Sequence, residues 1–343
     1  MLFGAQGSPQ KNTGPFKAQA DTLLDVGVGS VNVLRPRLKQ TMPVSDPPAQ
    51  NPHSSDRATP MDKNSATDFS VRFWGVRGSI PTPGSQTVEY GGNTSCVEMR
   101  LGEKRLIFDA GTGLRVLGMD LLKQMPVEAY LFFSHTHWDH IQGFPFFVPA
   151  FIPINRFHIY GAIAPDGSTI KDRLCDQMVH PNFPVPIHVM QSDMRFYDLF
   201  PGDTLTLDDI KIETAPLNHP NGAVGYRVTW QGKTAVYCTD TEHFPDRFDA
   251  NVLRLAREAD VFIYDATYTN EEYHNHQLPR IGWGHSTWEM GVEVAKKAGV
   301  KQVVMYQHDP SHTDEILNQI EAQVQAVFPN GIVAREGMIL NLD

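Results

Sequence analysis

Four residues that commonly bind metal ions occur within six consecutive positions of the chain: His135, His137, Asp139 and His140. Imidazole and carboxylate groups are the usual protein ligands of zinc-like ions. The cluster follows the apolar run Tyr130–Phe133, which is typical of a buried strand. Because the end of such a strand is a fixed platform, we expect His135 and His137 to converge on one ion. Asp139 and His140 would then turn towards a second ion.

One cluster cannot complete two metal sites, so further ligands must come from elsewhere. The downstream candidates each follow a strand-like run by a few positions: His219 after Ile210–Thr214, Asp240 after Thr234–Cys238, and His308 after Gln302–Tyr306. A single histidine in such a place is usually structural. Three such residues in addition to the cluster favour a shared site at one edge of the fold.

The elements that position these residues begin at Phe69. Short β-type runs separated by Gly and Pro turns include Val71–Val76, Arg105–Phe108, Ala129–Phe133, Val224–Thr229, Val261–Tyr264, Ile332–Arg335 and Met338–Leu342. Helical periodicity is found mainly at Asn251–Glu258, Thr287–Ala298 and Thr313–Val327. Strands first and helices between strands later predict an α/β fold with two stacked sheets and helices outside.

Composition divides the chain into two parts. Residues 1–67 contain eight prolines and no glutamate, and we predict a disordered tail there, followed by one domain over 68–343. Beyond residue 67 there are 22 basic and 34 acidic residues, a formal charge of −12, which disfavours non-specific nucleic-acid binding. No run of about 18 apolar residues is present, so no transmembrane helix is expected. Three cysteines without a pairing pattern favour a reducing cytoplasm.

The ordered ligand set resembles that of the metallo-β-lactamase superfamily over about residues 69–343. The resemblance implies a four-layer αβ/βα sandwich and two divalent ions, zinc first and manganese as an alternative. Carried over by residue, it implies that the first ion is held by His135, His137 and His219, the second by Asp139, His140 and His308, with Asp240 bridging the two. The same resemblance suggests a homodimer.

A second motif, Gly284-His285-Ser286-Thr287, opens a predicted helix. It resembles the His-Ser-Thr stretch of ribonuclease Z and of related cyclic phosphodiesterases, in which the histidine assists the departing oxygen. The segment Ile263–Tyr268 resembles the acidic segment of the same branch, and this implies that Asp265 orients His285. The alternative is that Ser286 or Thr287 merely caps the helix beside an idle histidine.

From these residues we predict a dinuclear-metal phosphodiesterase that hydrolyses a small cyclic phosphodiester, a 3′,5′-cyclic nucleotide, by attack of a metal-bridging hydroxide. The catalytic residues would be Asp139, His285 and Asp265. Ribonuclease Z grips tRNA with a long basic arm, whereas the stretch 161–202 here has only three cationic residues. Asn93 and Phe183 are candidate substrate contacts, with a turn and core or lid packing as their structural alternatives.

Three other functions remain open at this level. The first is a ribonuclease Z-like endonuclease acting on tRNA 3′ ends. The second is a sensor that binds a cyclic nucleotide without cutting it. The third is other hydrolytic chemistry of the superfamily, on thioesters or lactones. A di-iron redox protein is disfavoured, because that branch typically has Glu where this chain has His137.

Overall fold

The computed structural model describes residues 69–342. The predicted disordered tail over residues 1–67 lies outside the described residues, as do Asp68 and Asp343. Between these limits the chain forms fourteen strands and seven α-helices. The longest helix in the described range has 14 residues, and none is long and apolar enough to cross a membrane.

The first sheet has seven strands in the order β14-β1-β2-β3-β4-β5-β6. Their bounds are β1 Phe69–Gly75, β2 Cys96–Leu101, β3 Lys104–Phe108, β4 Glu128–Phe132, β5 Arg156–Ala162, β6 Asp193–Leu199 and β14 Ile339–Asn341. Pairing is antiparallel from β14 to β3 and parallel from β3 to β6. Parallel neighbours need crossovers, which contain α1 (Thr112–Leu121), α2 (Trp138–Ile141) and α3 (Ile170–Asp176).

The second sheet repeats this plan in the order β13-β12-β11-β10-β9-β8-β7. Its strands are β7 Thr204–Leu207, β8 Ile210–Leu217, β9 Ala223–Trp230, β10 Lys233–Cys238, β11 Val261–Asp265, β12 Gln302–Tyr306 and β13 Gly331–Val333. Pairing is antiparallel from β7 to β10 and parallel from β10 to β13. The crossovers contain α4 (Ala250–Ala256), α5 (Asn270–Tyr273), α6 (Trp288–Ala298) and α7 (Asp314–Val327).

The main core lies between the two sheets. The ring of Phe108 in β3 packs 5.4 Å from that of Tyr226 in β9 and 5.5 Å from that of Tyr237 in β10, centroid to centroid. Buried apolar side chains of α1 and α3 cover the outer face of the first sheet, and those of α4, α6 and α7 cover that of the second. The result is a four-layer αβ/βα sandwich, which confirms the predicted fold class.

The carboxyl ends of the parallel strands lead into the functional residues. Asp109 follows β3, Asp240 follows β10 after one residue, and Gln307 follows β12. All three have positive φ values, of 61°, 51° and 65°. Left-handed backbone is uncommon for residues other than glycine, and it costs about 1–3 kcal/mol where the surroundings impose it. The fold therefore holds these three side chains in strained, fixed positions at one edge.

Candidate metal centre

Three histidines and one aspartate converge at this edge. His135, His137, His219 and Asp240 each offer a ligand atom, and these atoms lie within 4.8 Å of one another. Nε2 of His219 is 3.1 Å from Nδ1 of His137. Oδ2 of Asp240 is 3.6 Å from Nε2 of both His135 and His219. Residues up to 105 positions apart in the sequence, from His135 to Asp240, thus form one group.

The hydrogen-bond partners of the imidazole nitrogens in this group favour binding of a cation. Nδ1 of His219 donates to the carbonyl of Gly284 at 2.7 Å, so the Nε2 lone pair faces the other ligands. Ser134 Oγ lies 3.0 Å from Nδ1 of His135. Nε2 of His135 is buried and has no hydrogen-bond partner among residues 69–342. A buried acceptor aimed at other lone pairs needs a positive charge between them, so these side chains fit a metal ion.

A second group shares Asp240 with the first. Asp139, His140 and Asp240 also bring ligand atoms together. Nε2 of His140 lies 3.1 Å from Oδ2 of Asp139 and 3.2 Å from Oδ1 of Asp240. Asp240 therefore faces the first group with Oδ2 and the second with Oδ1. This is the arrangement that a carboxylate needs to bridge two cations.

Asp109, which the sequence analysis missed, holds the second group in place. Oδ2 of Asp109 accepts hydrogen bonds from Nδ1 of His140, Oγ of Ser134 and the hydroxyl of Tyr237, at 2.7–2.8 Å. Oδ1 accepts from the backbone N–H of Ser134 at 2.7 Å. Four donors on one buried carboxylate fix the His140 ring and leave its Nε2 for a cation. Its position directly after the run Arg105–Phe108 was the available signal.

His285 and Asp265 form a pair beside the shared aspartate. Nδ1 of His285 donates to Oδ2 of Asp265 at 2.8 Å and lies 3.9 Å from Oδ2 of Asp240. Asp265 is fully buried, and the backbone N–H groups of Thr241 and Thr267 donate to it. The His285 side chain remains 13% exposed, against 2% for Asp240. A substrate can therefore reach His285, whose ring orientation Asp265 sets.

The electrostatics of the centre are dominated by burial and by the carboxylates. Burial and the neighbouring imidazoles hold the pKa of His135 well below its usual value. Burial opposes protonation of His140, but Asp139, Asp240 and Asp109 raise its pKa well above the ordinary range. For His285, burial is likewise overcome by Asp265 and Asp240, which raise its pKa to about 9. These four carboxylates thus favour positive charge at this edge of the fold.

His308 does not join the second group, and its predicted role as a ligand is corrected here. Its Nε2 donates to the carbonyl of Ala334 at 2.8 Å, and its ring meets that of Tyr90 edge-on at 6.0 Å. Burial lowers the pKa of His308 to about 3, so the ring is a neutral structural group. The residue before it, Gln307, faces Asp139 and His140 instead. Gln307 leaves β12 in left-handed backbone, which turns its own side chain towards the site, while that of His308 faces Ala334 and Tyr90.

The two candidate substrate contacts lie in different settings. The side-chain amide of Asn93 donates to Glu336 at 2.9 Å, and its backbone N–H also bonds that carboxylate. These bonds tie Asn93 to Glu336, and its role as a substrate contact stays a prediction. Phe183 meets Phe146 edge-on and helps to line a groove of about 670 Å³ that also includes Trp138. Trp138 is 82% exposed and immediately follows His137. The groove therefore lies beside the segment that carries the ligands, and its lining includes Thr136 and Trp138 but none of the ligand side chains.

A smaller cavity reaches the first ligand group from another side. It has a volume of about 240 Å³ and is lined by His135, Thr136, Arg173 and Asn221, among others. The Arg173 side chain lines both this cavity and the aromatic groove. Arg173 lies within α3, and its Nη1 donates to the hydroxyl of Thr136 at 3.3 Å. A phosphorylated ligand at the centre would thus find one guanidinium between the two spaces.

Comparison with known proteins places these features in a family. Residues 104–308 match the family model described as "Beta-lactamase superfamily domain". Ribonuclease Z of Picosynechococcus sp. is 24% identical over 327 residues, which cover 78% of this chain and 95% of that protein.

Solved structures show the same fold. The short form of human tRNase Z has a TM-score of 0.57 at 18% identity, covering 80% of this chain and 99% of that one. A diphosphatase from the PhnP family has a TM-score of 0.58 at 18% identity, covering 80% and 98%. The family model spans more than half of the sequence and includes both ligand groups, and this chain belongs to the β-lactamase superfamily.

Proposed function

We propose that this metal-dependent phosphodiester hydrolase cleaves a small cyclic phosphodiester, with a 3′,5′-cyclic nucleotide as the first candidate. The observation that carries the proposal is the His285–Asp265 pair, with Nδ1 of His285 3.9 Å from the shared carboxylate of Asp240. An oriented imidazole beside two ligand groups suits a reaction in which an alkoxide departs from phosphorus.

The first cation would be held by His135, His137, His219 and Asp240, and the second by Asp139, His140 and Asp240. Two divalent cations at such positions lower the pKa of a water molecule and withdraw charge from a phosphoryl oxygen. The protein side chains set the geometry: Asp109 fixes His140, and the Gly284 carbonyl fixes His219. Zinc fits the three-imidazole group, and manganese is the alternative metal.

His285 would donate a proton to the departing oxygen. Its Nδ1 proton is committed to Asp265, so the Nε2 proton of the imidazolium is the one available for transfer. Asp265 stabilises the cationic form and keeps the ring in one orientation. It does so without contacting the substrate, because it is fully buried.

Several features support a small substrate. The chain beyond residue 67 carries a formal charge of −12, which repels a long polyanion. Between His140 and His219 the described chain forms β5, β6, β7, β8 and α3, all parts of the sandwich, and no basic arm. A cavity of about 240 Å³ with one guanidinium suits a mononucleotide, and the groove along Trp138 and Phe146 offers rings for a base.

The second candidate is cleavage at the 3′ end of precursor tRNA. It is favoured by the relatives named ribonuclease Z, which align with this chain over nearly their whole length. A groove with an exposed tryptophan also suits stacking on a single-stranded 3′ end. The two candidates share the centre and differ in what the surrounding surface binds.

Turnover assays on the zinc-loaded and manganese-loaded protein test the proposal. The substrates are 3′,5′- and 2′,3′-cyclic nucleotides, a bis-phosphodiester chromogenic ester and a precursor tRNA. Turnover of a cyclic nucleotide, lost in Asp240→Ala, is the expected result. Cleavage of the precursor tRNA alone would establish the second candidate. Tight nucleotide binding without turnover of any ester would show a sensor and refute both.

The remaining expectations concern assembly and compartment. We infer a homodimer from the family resemblance, and sedimentation of the metal-loaded protein checks it. We infer the cytoplasm from Cys96, Cys175 and Cys238, which are all free thiols. Fractionation of cells that express the full chain checks that inference.

A further inference from the structure

The neutral carboxamide of Gln307 lies beside the second ligand group, which has only three members, Asp139, His140 and Asp240. Nε2 of Gln307 lies 2.9 Å from Oδ2 of Asp139 and 3.1 Å from Nε2 of His140. The Gln307 side chain is completely buried. It therefore faces the same two atoms that, with Oδ1 of Asp240, define the second group.

The carboxamide can satisfy its surroundings in two orientations. Its oxygen accepts from Oγ of Ser95 at 2.6 Å and lies 3.3 Å from Oγ1 of Thr239. The hydroxyl proton of Thr239 is already donated to Asp240 at 2.7 Å, so this hydroxyl oxygen is free to accept. Rotation by 180° exchanges the amide oxygen and nitrogen with little change of shape. After rotation, the NH₂ group donates to the two hydroxyls and the oxygen faces Asp139 and His140.

The site around Gln307 holds the carboxamide at this position. Gln307 follows β12 with a φ of 65°, a conformation that turns the chain sharply after the strand. Gly78 packs against it so closely that a Cβ at that position would lie 3.0–3.2 Å from three atoms of the Gln307 side chain. The Ser79 N–H donates to the same Asp139 oxygen at 2.8 Å. The amide is thus confined to the second ligand group.

We propose that Gln307 supplies the fourth protein ligand of the second cation through its amide oxygen, and that this position binds its ion more weakly than the first and favours zinc over manganese less strongly. The inference rests on the metal centre of the proposed function. The first group offers three imidazole nitrogens and one carboxylate, a set suited to zinc. The second offers one imidazole nitrogen and three oxygens, from Asp139, Asp240 and Gln307, a harder set that also accepts manganese.

Metal titration of the full-length protein tests this assignment without measuring activity. Chelator-treated protein is titrated with Zn²⁺ and then with Mn²⁺, with bound metal measured by elemental analysis and Mn²⁺ also by electron paramagnetic resonance. The variants are Gln307→His, which supplies an imidazole, and Gln307→Ala, which removes the ligand. His308→Gln is the matched control, because it alters the neighbouring buried residue and keeps a donor for the Ala334 carbonyl.

The wild type should bind its first Zn²⁺ tightly and its second ion, Zn²⁺ or Mn²⁺, at least about tenfold more weakly. Gln307→Ala should lower the affinity for the second ion by a further 10-fold or more and leave the affinity for the first ion unchanged. Gln307→His should make the second position take zinc as tightly as the first. His308→Gln should behave as the wild type. Retention of the first ion in each variant shows that the fold is intact.

Either of two results would overturn this inference without touching the proposed function. The first is that the wild type binds two zinc ions with equal affinity. The second is that Gln307→Ala leaves the affinity for the second ion unchanged while His308→Gln abolishes its binding. In either case the first ion and phosphodiester turnover would persist, and the proposed function would stand. If neither metal bound to the wild type, both proposals would fall together.

Discussion

Nδ1 of His140 donates a hydrogen bond of 2.8 Å to Oδ2 of Asp109. Asp109 is buried and directly follows β3, and this bond links it to the segment that follows the next parallel strand, β4. Asp109 accepts four hydrogen bonds. Three come from Ser134 and His140, in the segment that follows β4, and the fourth comes from the hydroxyl of Tyr237. The carboxylate therefore supports a proposed ligand and is not itself among the groups whose ligand atoms converge.

Replacement of Asp109 by Asn should weaken binding of the second ion about 10- to 100-fold. The NH₂ group of the new side chain would face a group that itself donates a hydrogen bond, so the His140 ring would be held less firmly. Loss of one buried hydrogen bond also costs about 1–3 kcal/mol of stability. Metal competition and urea unfolding measure the two effects. Asp208→Asn is the control, since Asp208 is an exposed carboxylate paired with Lys104. An unchanged second-ion affinity would show that Asp109 serves the fold alone.

Replacement of His285 by Ala should slow cleavage of esters with alkoxide leaving groups by about 10²–10⁴. An ester with a nitrophenolate leaving group needs no proton, so it should lose far less. Rates on matched esters of the two kinds, with metal content determined in parallel, test this. Asp265→Asn is the companion variant, because it keeps the imidazole and removes its charged acceptor. Equal losses on both esters, or loss of metal, would make His285 a ligand rather than an acid.

The fold was largely predictable because most of its strands are apolar runs with clear turns. Several elements were missed, among them α1 and β6. Gly113 and Gly118 lower the helical propensity of α1, and they are present because its backbone lies close to Trp74 and Phe147. The β6 strand is a sheet edge with mainly exposed or half-buried side chains, and its polarity alternates only over Asp193–Phe196. Tertiary packing decides both elements, and a local pattern does not record it.

The site was predictable as far as residue type carried the signal. Most of the histidines and aspartates singled out do come together, whereas the choice between Gln307 and His308 depended on which side chain faces inward. Histidine is the commoner ligand, and a positive φ at Gln307 cannot be read from the sequence. Asp109 escaped notice because its role is visible only once His140 lies beside it in space.

Metal binding should stabilise the protein against heat. A ligand at 100 times its dissociation constant adds about 2.7 kcal/mol, which raises Tm by about 5–10 °C in a domain of this size. Thermal denaturation in chelator and in excess Zn²⁺ measures the shift. Asp240→Ala, which removes the carboxylate common to both groups, should abolish it. A shift of full size in that variant would place the stabilising ion elsewhere.

Gly284 should tolerate no side chain. Its φ is +87°, and a Cβ would lie 2.3 Å from Cδ of Pro220 and 2.4 Å from Nδ1 of His219. Gly282 is the matched control, with a φ of +85° and, within the described residues, no heavy atom near its Cβ position. Each change to Ala should cost about 1 kcal/mol for the backbone. Only Gly284→Ala should also displace His219 and weaken the first zinc, as measured by chelator competition; equal zinc affinities would contradict this.

Trp138 should bind substrate without contributing to stability. Its side chain is 82% exposed at the groove beside the centre, so Trp138→Ala should change the free energy of unfolding by no more than about 0.5 kcal/mol. Stacking of a base on an aromatic ring is worth about 1–3 kcal/mol, so KM should rise about 5- to 100-fold while kcat is kept. Trp138→Phe should restore most of the affinity. The control is Ile154→Ala, because Ile154 is also an exposed apolar side chain but lines a different cavity. If KM is unchanged in Trp138→Ala, the base lies elsewhere, and the cavity beside Arg173 becomes the binding site to test.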